Sequence, residues 1–274
     1  MSREKKDDGL LIKDKLLLRL AGLIIAGVLA VAVFAGCGDS ENSAQQSLTV
    51  AVSANFQAPF EKLAAAYRDS TGKSVQSIIS SSGKLTTQIR NGAPFDLFFS
   101  ADTGYPNQLF RDGLAVRQPQ IYASGKLVIW FSAAHPGPLD MSALTDLSLK
   151  AIAVANPQIA PYGAEAVNAL KNAGIYNDIE PRLVFGRNVA QVNQYLRSGA
   201  ADAAITAQSA VVGSDVPTAQ WAFVDSTLYQ PIAQSAAIIA NRPPQLQAAA
   251  AHFLDFLNSP VARSIFHHYG YQLP

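Results

Sequence analysis

Residues 48–113 read LTVAVSANFQAPFEKLAAAYRDSTGKSVQSIISSSGKLTTQIRNGAPFDLFFSADTGYPNQLFRDG. A short β-branched run, LTVAV (48–52), is followed by Pro59, Phe60, Leu63, Ala64 and Tyr67 at helical spacing. Pro59 suits a first helical turn and Gly72 the stop after the last one. SVQSII (74–79) is the next strand, and Leu85 and Ile89 mark a helix closed by Asn91-Gly92. DLFFSA (96–101) then leads into a helix through Leu109 and Phe110 that ends at Asp112-Gly113. Three strand–helix units in direct succession predict an α/β fold with a parallel, doubly wound sheet.

The same rhythm continues outward. KLVIWFS (126–132), AIAVAN (151–156), LVF (183–185) and DAAITA (202–207) read as strands, with helices near Ala164–Ala173 and Ala190–Arg197 between them. IAQSAAIIA (232–240) is a last strand, and Leu246–Leu257 and Ala262–His268 read as closing helices. So many strands fit one large sheet or two smaller ones. The expectation is two doubly wound α/β lobes, residues 48–127 with 231–274 as lobe I and 128–230 as lobe II. KLVIWFS and the stretch around Pro231 would be the paired crossover strands.

Composition narrows the function. The 274 residues are 49% hydrophobic and 15% charged, which excludes a disordered tail or a coiled coil. Lys and Arg total 21 against 20 Asp and Glu, so the usual basic footprint of a nucleic-acid binder is missing. One cysteine makes no internal disulfide, and four histidines argue against a multi-ligand zinc site.

The first 36 residues stand apart from the fold. Arg3, Lys5, Lys6, Lys13, Lys15 and Arg19 precede an apolar and small run from Leu20 to Gly36, the pattern of an export signal. Val33-Phe34-Ala35-Gly36-Cys37 resembles a bacterial lipobox with Cys37 as the lipidated residue, although Phe34 stands where leucine is usual. An uncleaved signal anchor is the alternative. Residues 37–47 are short and polar, a tether. Either anchor places the body outside the cytoplasm, in the periplasm and held at a membrane.

Enzyme motifs do not assemble. Ser81-Ser82-Gly83-Lys84 matches S-x-x-K, but its companion motifs S-D-N and K-T-G are absent, as are a G-x-S-x-G elbow and a P-loop. An exported serine hydrolase using Ser82 with Lys84 therefore lacks an activating base. His267-His268 reads as surface or capping histidine, and Asp102 as a helix cap rather than a general base. What remains is a set of loops at strand carboxyl ends, each feeding a helix: Ser53-Ala54-Asn55, Ser80 to Gly83, Ala160 to Gly163, and Arg187-Asn188-Val189. Ligands of open α/β sheets bind at this edge. Free N–H groups and the helix dipole make such termini anion sites. The side chains there are neutral donors with no carboxylate among them, which suits a fully deprotonated tetrahedral dianion better than hydrogen phosphate, whose proton needs an acceptor. About six hydrogen bonds at roughly 1.5–3 kcal/mol each, less the costs of closure, permit micromolar to nanomolar affinity.

At these loops the chain resembles the periplasmic molybdate-binding protein family of ABC importers. The likeness runs from Leu48 to the carboxyl terminus, and its most specific pieces are Asn91 to Asp102 (NGAPFDLFFSAD), Asn156 to Gly163 (NPQIAPYG) and Tyr269-Gly270-Tyr271. The resemblance implies a type II periplasmic-binding-protein fold with the oxyanion in the cleft between the lobes. It implies that Ser82 hydrogen-bonds the ion, that Ala54 and Asn55 form the first contact loop with Ser53 supplying a hydroxyl, and that Val189 donates its backbone N–H. Tyr162 matches one branch of the family; another branch has a ligand tyrosine where Thr206 stands here, which leaves Thr206 without an assigned role. The implied ligand is molybdate or tungstate, with no cofactor and no metal beyond the molybdenum of the ion. The implied partner is an ABC permease with its ATPase, served by a monomer. A receptor for sulfate or another tetrahedral oxyanion is the alternative.

Overall fold

The apolar runs become two five-stranded mixed sheets, each flanked by helices, in a computed structural model that describes residues 47–133, 138–214 and 216–274. The expected export signal, Cys37 and the tether up to Gln46 lie outside the described residues. Gln45–Pro274 packs as one compact unit.

The first sheet has the order β2-β1-β3-β10-β4, with β1 Leu48–Ser53, β2 Val75–Ser80, β3 Leu97–Phe99, β4 Gln120–Gly125 and β10 Ile232–Ile238. β1 runs parallel to β2 and β3, and β10 is antiparallel to β3 and β4. Strand alternation splits its side chains between two cores. Val50 and Val52 pack with Phe60, Leu63 and Tyr67 of α1 (Gln57–Thr71) and with Phe253 and Phe266 of α8 (Pro244–Phe256) and α9 (Pro260–His268). Ala51 and Phe98 point the other way, onto Leu85 and Ile89 of α2 (Ser82–Arg90) and Leu109 of α3 (Gly104–Arg111). The expected double winding follows from that alternation. Gly72 ends α1 with a positive φ of 72°, its N–H returning to the Arg68 carbonyl at 2.7 Å, as a left-handed helix stop requires.

The second sheet has the order β7-β6-β8-β5-β9, from β5 Leu127–Phe131, β6 Ile152–Ala155, β7 Leu183–Gly186, β8 Ala203–Ala207 and β9 Trp221–Phe223. α4 (Pro161–Asn172), the short α5 (Tyr176–Ile179) and α6 (Val189–Arg197) pack on it around one core holding Ile129, Val154, Leu170, Ile179 and Val192. α7 (Gln208–Val212) follows β8 yet reaches the first lobe, where Ser209 Oγ donates to the Asn55 carbonyl at 2.7 Å.

The chain crosses between sheets twice. Lys126 alone separates β4 from β5, so KLVIWFS is an inner strand of the second sheet, with the crossing just before it. The return, residues 224–231, is broken by a 3-10 turn at Ser226–Leu228 that the Asp225 side chain caps. Two strands, β4 and β9, had no expectation in the sequence. Both lie at sheet edges, where QIYASG ends in turn-forming residues and WAF is only three residues long.

Candidate functional site

Five strand ends deliver the residues of one small cavity. Ser53 closes β1, and Ala54 and Asn55 begin the 3-10 turn that leads into α1. Ser81 is the N-cap of α2, accepting from the Lys84 N–H, and Ser82 is its first residue. Ala101 follows β3. From the other lobe, Ala160, Pro161 and Tyr162 open α4, and Asn188 caps α6 by accepting from the Gln191 N–H at 3.0 Å, with Val189 next. These residues line one small, tight cleft between the lobes. Ser53, Ala54, Asn55, Ser82, Tyr162 and Val189, expected from sequence to meet, all line it.

The first N–H groups of a helix have no carbonyl partner within it. Helix starts from both lobes therefore turn their first N–H groups and the positive ends of their dipoles toward the same place. Some of these groups are already engaged, the Gly83 N–H with the Ile159 carbonyl at 3.0 Å and the Gly163 N–H with the Ala160 carbonyl at 2.9 Å. No lining residue carries a formal charge. Such a set suits a compact anion with no proton to donate.

The hydroxyls are arranged in a relay. The Ala101 N–H donates to Ser82 Oγ at 3.0 Å, and Ser82 Oγ shares a 2.5 Å hydrogen bond with Ser53 Oγ. Ser53 therefore orients Ser82 directly, and the pair has one hydroxyl proton left for a guest. Ser82 is buried while Lys84 is exposed, and the partners of Ser82 Oγ among the described residues are the Ser53 hydroxyl and the Ala101 N–H.

Beneath Asn55 and Tyr162 lies a buried polar network. Asn55 Nδ2 donates to Gln234 Oε1 at 2.8 Å and to the Tyr271 hydroxyl at 3.3 Å. The Tyr122 hydroxyl donates to Gln234 Oε1 at 2.8 Å, and Gln234 Nε2 donates to the Tyr162 hydroxyl at 3.1 Å. Burial pushes the phenols of Tyr162 and Tyr122 well above their ordinary value near 10, and that of Tyr271 up to about 12. All three stay protonated at neutral pH, so Tyr162 remains a donor.

Other sequence expectations sit elsewhere. Thr206 is buried and donates to Asn193 Oδ1 at 2.7 Å, away from the cavity lining. Asp102 accepts from the Ser100 hydroxyl at 2.8 Å and the Tyr105 N–H at 3.2 Å, a cap at the start of α3, and burial raises its carboxyl against those bonds. His268 packs edge-on against Tyr269, and among the described residues no group of three or more His, Cys, Asp or Glu is placed to hold a metal.

Ser81, Ala101, Ala160, Pro161 and Asn188 also line the cleft. All lie within the loops and motifs read from sequence; Ser81 and Asn188 belong to the loops of neutral donors, whereas Ala101, Ala160 and Pro161 have no polar side-chain atom to mark them. No motif in the sequence marks Gln234, Tyr122 or their network. Their meeting depends on β4 and β10 being neighbours, and β4 was not legible.

Residues 48–272 match the family described as bacterial extracellular solute-binding protein. The chain is 35% identical to the molybdate-binding protein ModA of Rhodobacter capsulatus over 256 residues, 93% of this chain and 96% of the relative. It is 35% identical over 260 residues to ModA of Azotobacter vinelandii, covering 93% and 97% of the two chains. The solved periplasmic molybdate-binding protein of Azotobacter vinelandii superposes with a TM-score of 0.77 at 33% identity, covering 83% of this chain and all of that one. The sulfate-binding protein SubI of Mycobacterium tuberculosis shares the fold alone, with a TM-score of 0.70 at 13% identity.

Proposed function

The chain belongs to the bacterial extracellular solute-binding proteins, and we propose that it captures molybdate, and tungstate with it, for an ABC-transporter permease. The observation that carries the reading is the convergence of neutral donors from both lobes on one small cavity, in a chain so similar to molybdate-binding relatives. In this reading Ser53, Ala54, Asn55 and Ser82 hold the ion from lobe I, residues 48–127 with 231–274. Tyr162 and Val189 hold it from lobe II, residues 128–230. Ser82 and the Tyr162 phenol donate directly, and Val189 through its backbone N–H. The protein acts by binding and release, without catalysis. It works as a monomer, with Cys37 lipidated after removal of the export signal and the polar tether reaching from the membrane to the body.

Isothermal titration with molybdate, tungstate, sulfate and phosphate in parallel tests the reading. Strong heats with the first two and none with the others are expected, since the cavity size would select among ions that the donors alone treat alike. Tight sulfate binding with silent molybdate would keep the site and change its ligand; silence with all four would overturn the assignment.

Two substitutions probe single donors. Ser82→Ala leaves the Ala101 N–H and the Ser53 hydroxyl without their partner as well as removing a contact to the ion. The expected loss of molybdate affinity is about 1–3 kcal/mol, and an unchanged dissociation constant would exclude Ser82 as a ligand.

Tyr162 carries a pH prediction. With its phenol held protonated, molybdate affinity is expected to stay level from about pH 6 to pH 9 in wild type, and Tyr162→Phe to lower it across that whole range. Above about pH 10 the unfolded chain gives up its tyrosine protons while the folded chain keeps those of Tyr122, Tyr162 and Tyr271. The unfolded state then binds fewer protons, so stability is lost as pH rises. Thermal melts across the alkaline range would show it.

A further inference from the structure

Gln234 lies on β10, the strand that receives the chain as it returns from the second sheet. Its side chain is wholly buried and is not among the residues lining the cavity. The register between β10 and β4 shifts between Gln234 and Ser235, an irregularity of the kind that re-aims a side chain. The re-aimed amide meets both lobes. Its oxygen accepts from Asn55 Nδ2 and the Tyr122 hydroxyl on the first lobe, and its nitrogen donates to the Tyr162 hydroxyl on the second. Two residues that line the cavity are thus joined through one amide at the cavity's floor.

Gly125 makes that meeting possible. It is the last residue of β4, beside the Lys126 crossing. A Cβ there would overlap the Tyr162 hydroxyl and stand 2.7 Å from Gln234 Nε2. Tyr162 and Gln234 are both buried, so relieving the overlap means moving a packed side chain. Gln234 belongs to the first sheet and Tyr162 to a helix on the second. The bond between them therefore crosses from one lobe to the other, next to the crossings.

We propose that Gln234 is a closure latch: a positioning residue that bonds Tyr162 only when the lobes are shut and so ties ion retention to lobe closure, with Gly125 as the clearance it needs. The inference rests on the oxyanion-receptor reading. Because Gln234 Oε1 is filled by two donors, its nitrogen faces Tyr162, whose own proton is left for the ion. Loss of the latch speeds release and leaves capture little changed, as is usual when an interaction formed after encounter is removed.

The test uses the full-length chain with molybdate as the probe, comparing wild type, Gly125→Ala, Gln234→Met, Tyr162→Phe and the double variant Gln234→Met/Tyr162→Phe. Stopped-flow release, small-angle scattering with and without the ion, and melting without the ion are measured. Gln234→Met is expected to release molybdate about tenfold faster, the scale of one buried hydrogen bond. It should add little once Tyr162 is already phenylalanine. Gly125→Ala is expected to lose the ion-induced compaction while its ion-free melting temperature stays near wild type. Wild-type release and compaction in both Gly125→Ala and Gln234→Met, or effects of Gln234→Met and Tyr162→Phe that simply add, would overturn the latch. Should Gln234→Met not fold, Gly125→Ala decides by itself. A wild-type chain that binds molybdate while the variants behave like it overturns the latch alone; a wild-type chain that binds no molybdate overturns the receptor reading and the latch with it.

Discussion

Gly163→Ala is expected to cost about 3 kcal/mol of stability, roughly 6–12 °C in melting temperature, and to weaken molybdate binding more than tenfold. Gly163 is the third residue of α4, where the helix start meets the end of β6. A Cβ there would fall far inside the van der Waals contact distance of the Ala155 carbonyl oxygen, 2.6 Å from the Ala155 carbonyl carbon and 3.1 Å from that of Asn156. These are backbone atoms of a buried strand end and its continuation, so no rotamer change relieves the overlap. The helix must shift. Tyr162 is the adjacent residue, and the shift would carry its phenol away from the cavity and from Gln234. Stability and affinity therefore fall together, through one displacement. Thermal unfolding and calorimetric titration of the same preparation check it; a variant that melts and binds like wild type would show that α4 does not approach β6 this closely.

The second large effect is expected at Asp96, on stability alone. Asp96 is 1% exposed at the entry to β3, where one carboxylate oxygen accepts from Arg242 Nε at 2.7 Å and the other from the Thr49 N–H at 2.8 Å. Asp96→Ala removes the acceptor for both. It leaves Arg242, itself 25% exposed, without its carboxylate and the Thr49 N–H without a partner. Breaking a buried pair from one side costs about 3–5 kcal/mol, and partial exposure of the arginine places this case near 3 kcal/mol. The pair sits at the opposite end of β3 from Ala101, so affinity should survive in whatever fraction stays folded. Denaturant melts would reveal the loss. Asp96→Asn, which keeps one acceptor of similar shape, should recover part of it.

The neutral cavity also shapes selectivity. Hydrogen bonds to neutral donors act on any deprotonated oxyanion, whereas a carboxylate in the lining would have favoured one that carries a proton. Among tetrahedral dianions the donors scarcely discriminate. The separation of the helix starts in the shut cleft would then do the sorting, with ion size as the variable.

Much of this was legible in the residue order. LTVAV, DLFFSA and DAAITA are compact apolar runs between turn signals, and such runs have few ways to be buried other than as inner strands. Helix starts were legible for a related reason. Ser81 and Asn188 cap locally, by bonds to N–H groups three residues on, so their positions need no distant partner. Together they determined the double winding and the loops that would meet. What tertiary structure alone decided is how those loops are joined. Edge strand β4 carries no continuous apolar run, and Gln234 on β10 reads as an ordinary polar residue of a strand. Only the pairing of these strands sets Gln234 between Asn55 and Tyr162, residues 179 and 72 positions away in the chain. Burial and local capping act over a few residues and leave a mark in sequence; a hydrogen-bonded floor assembled across two lobes arises from strand order, which no short stretch of residues encodes.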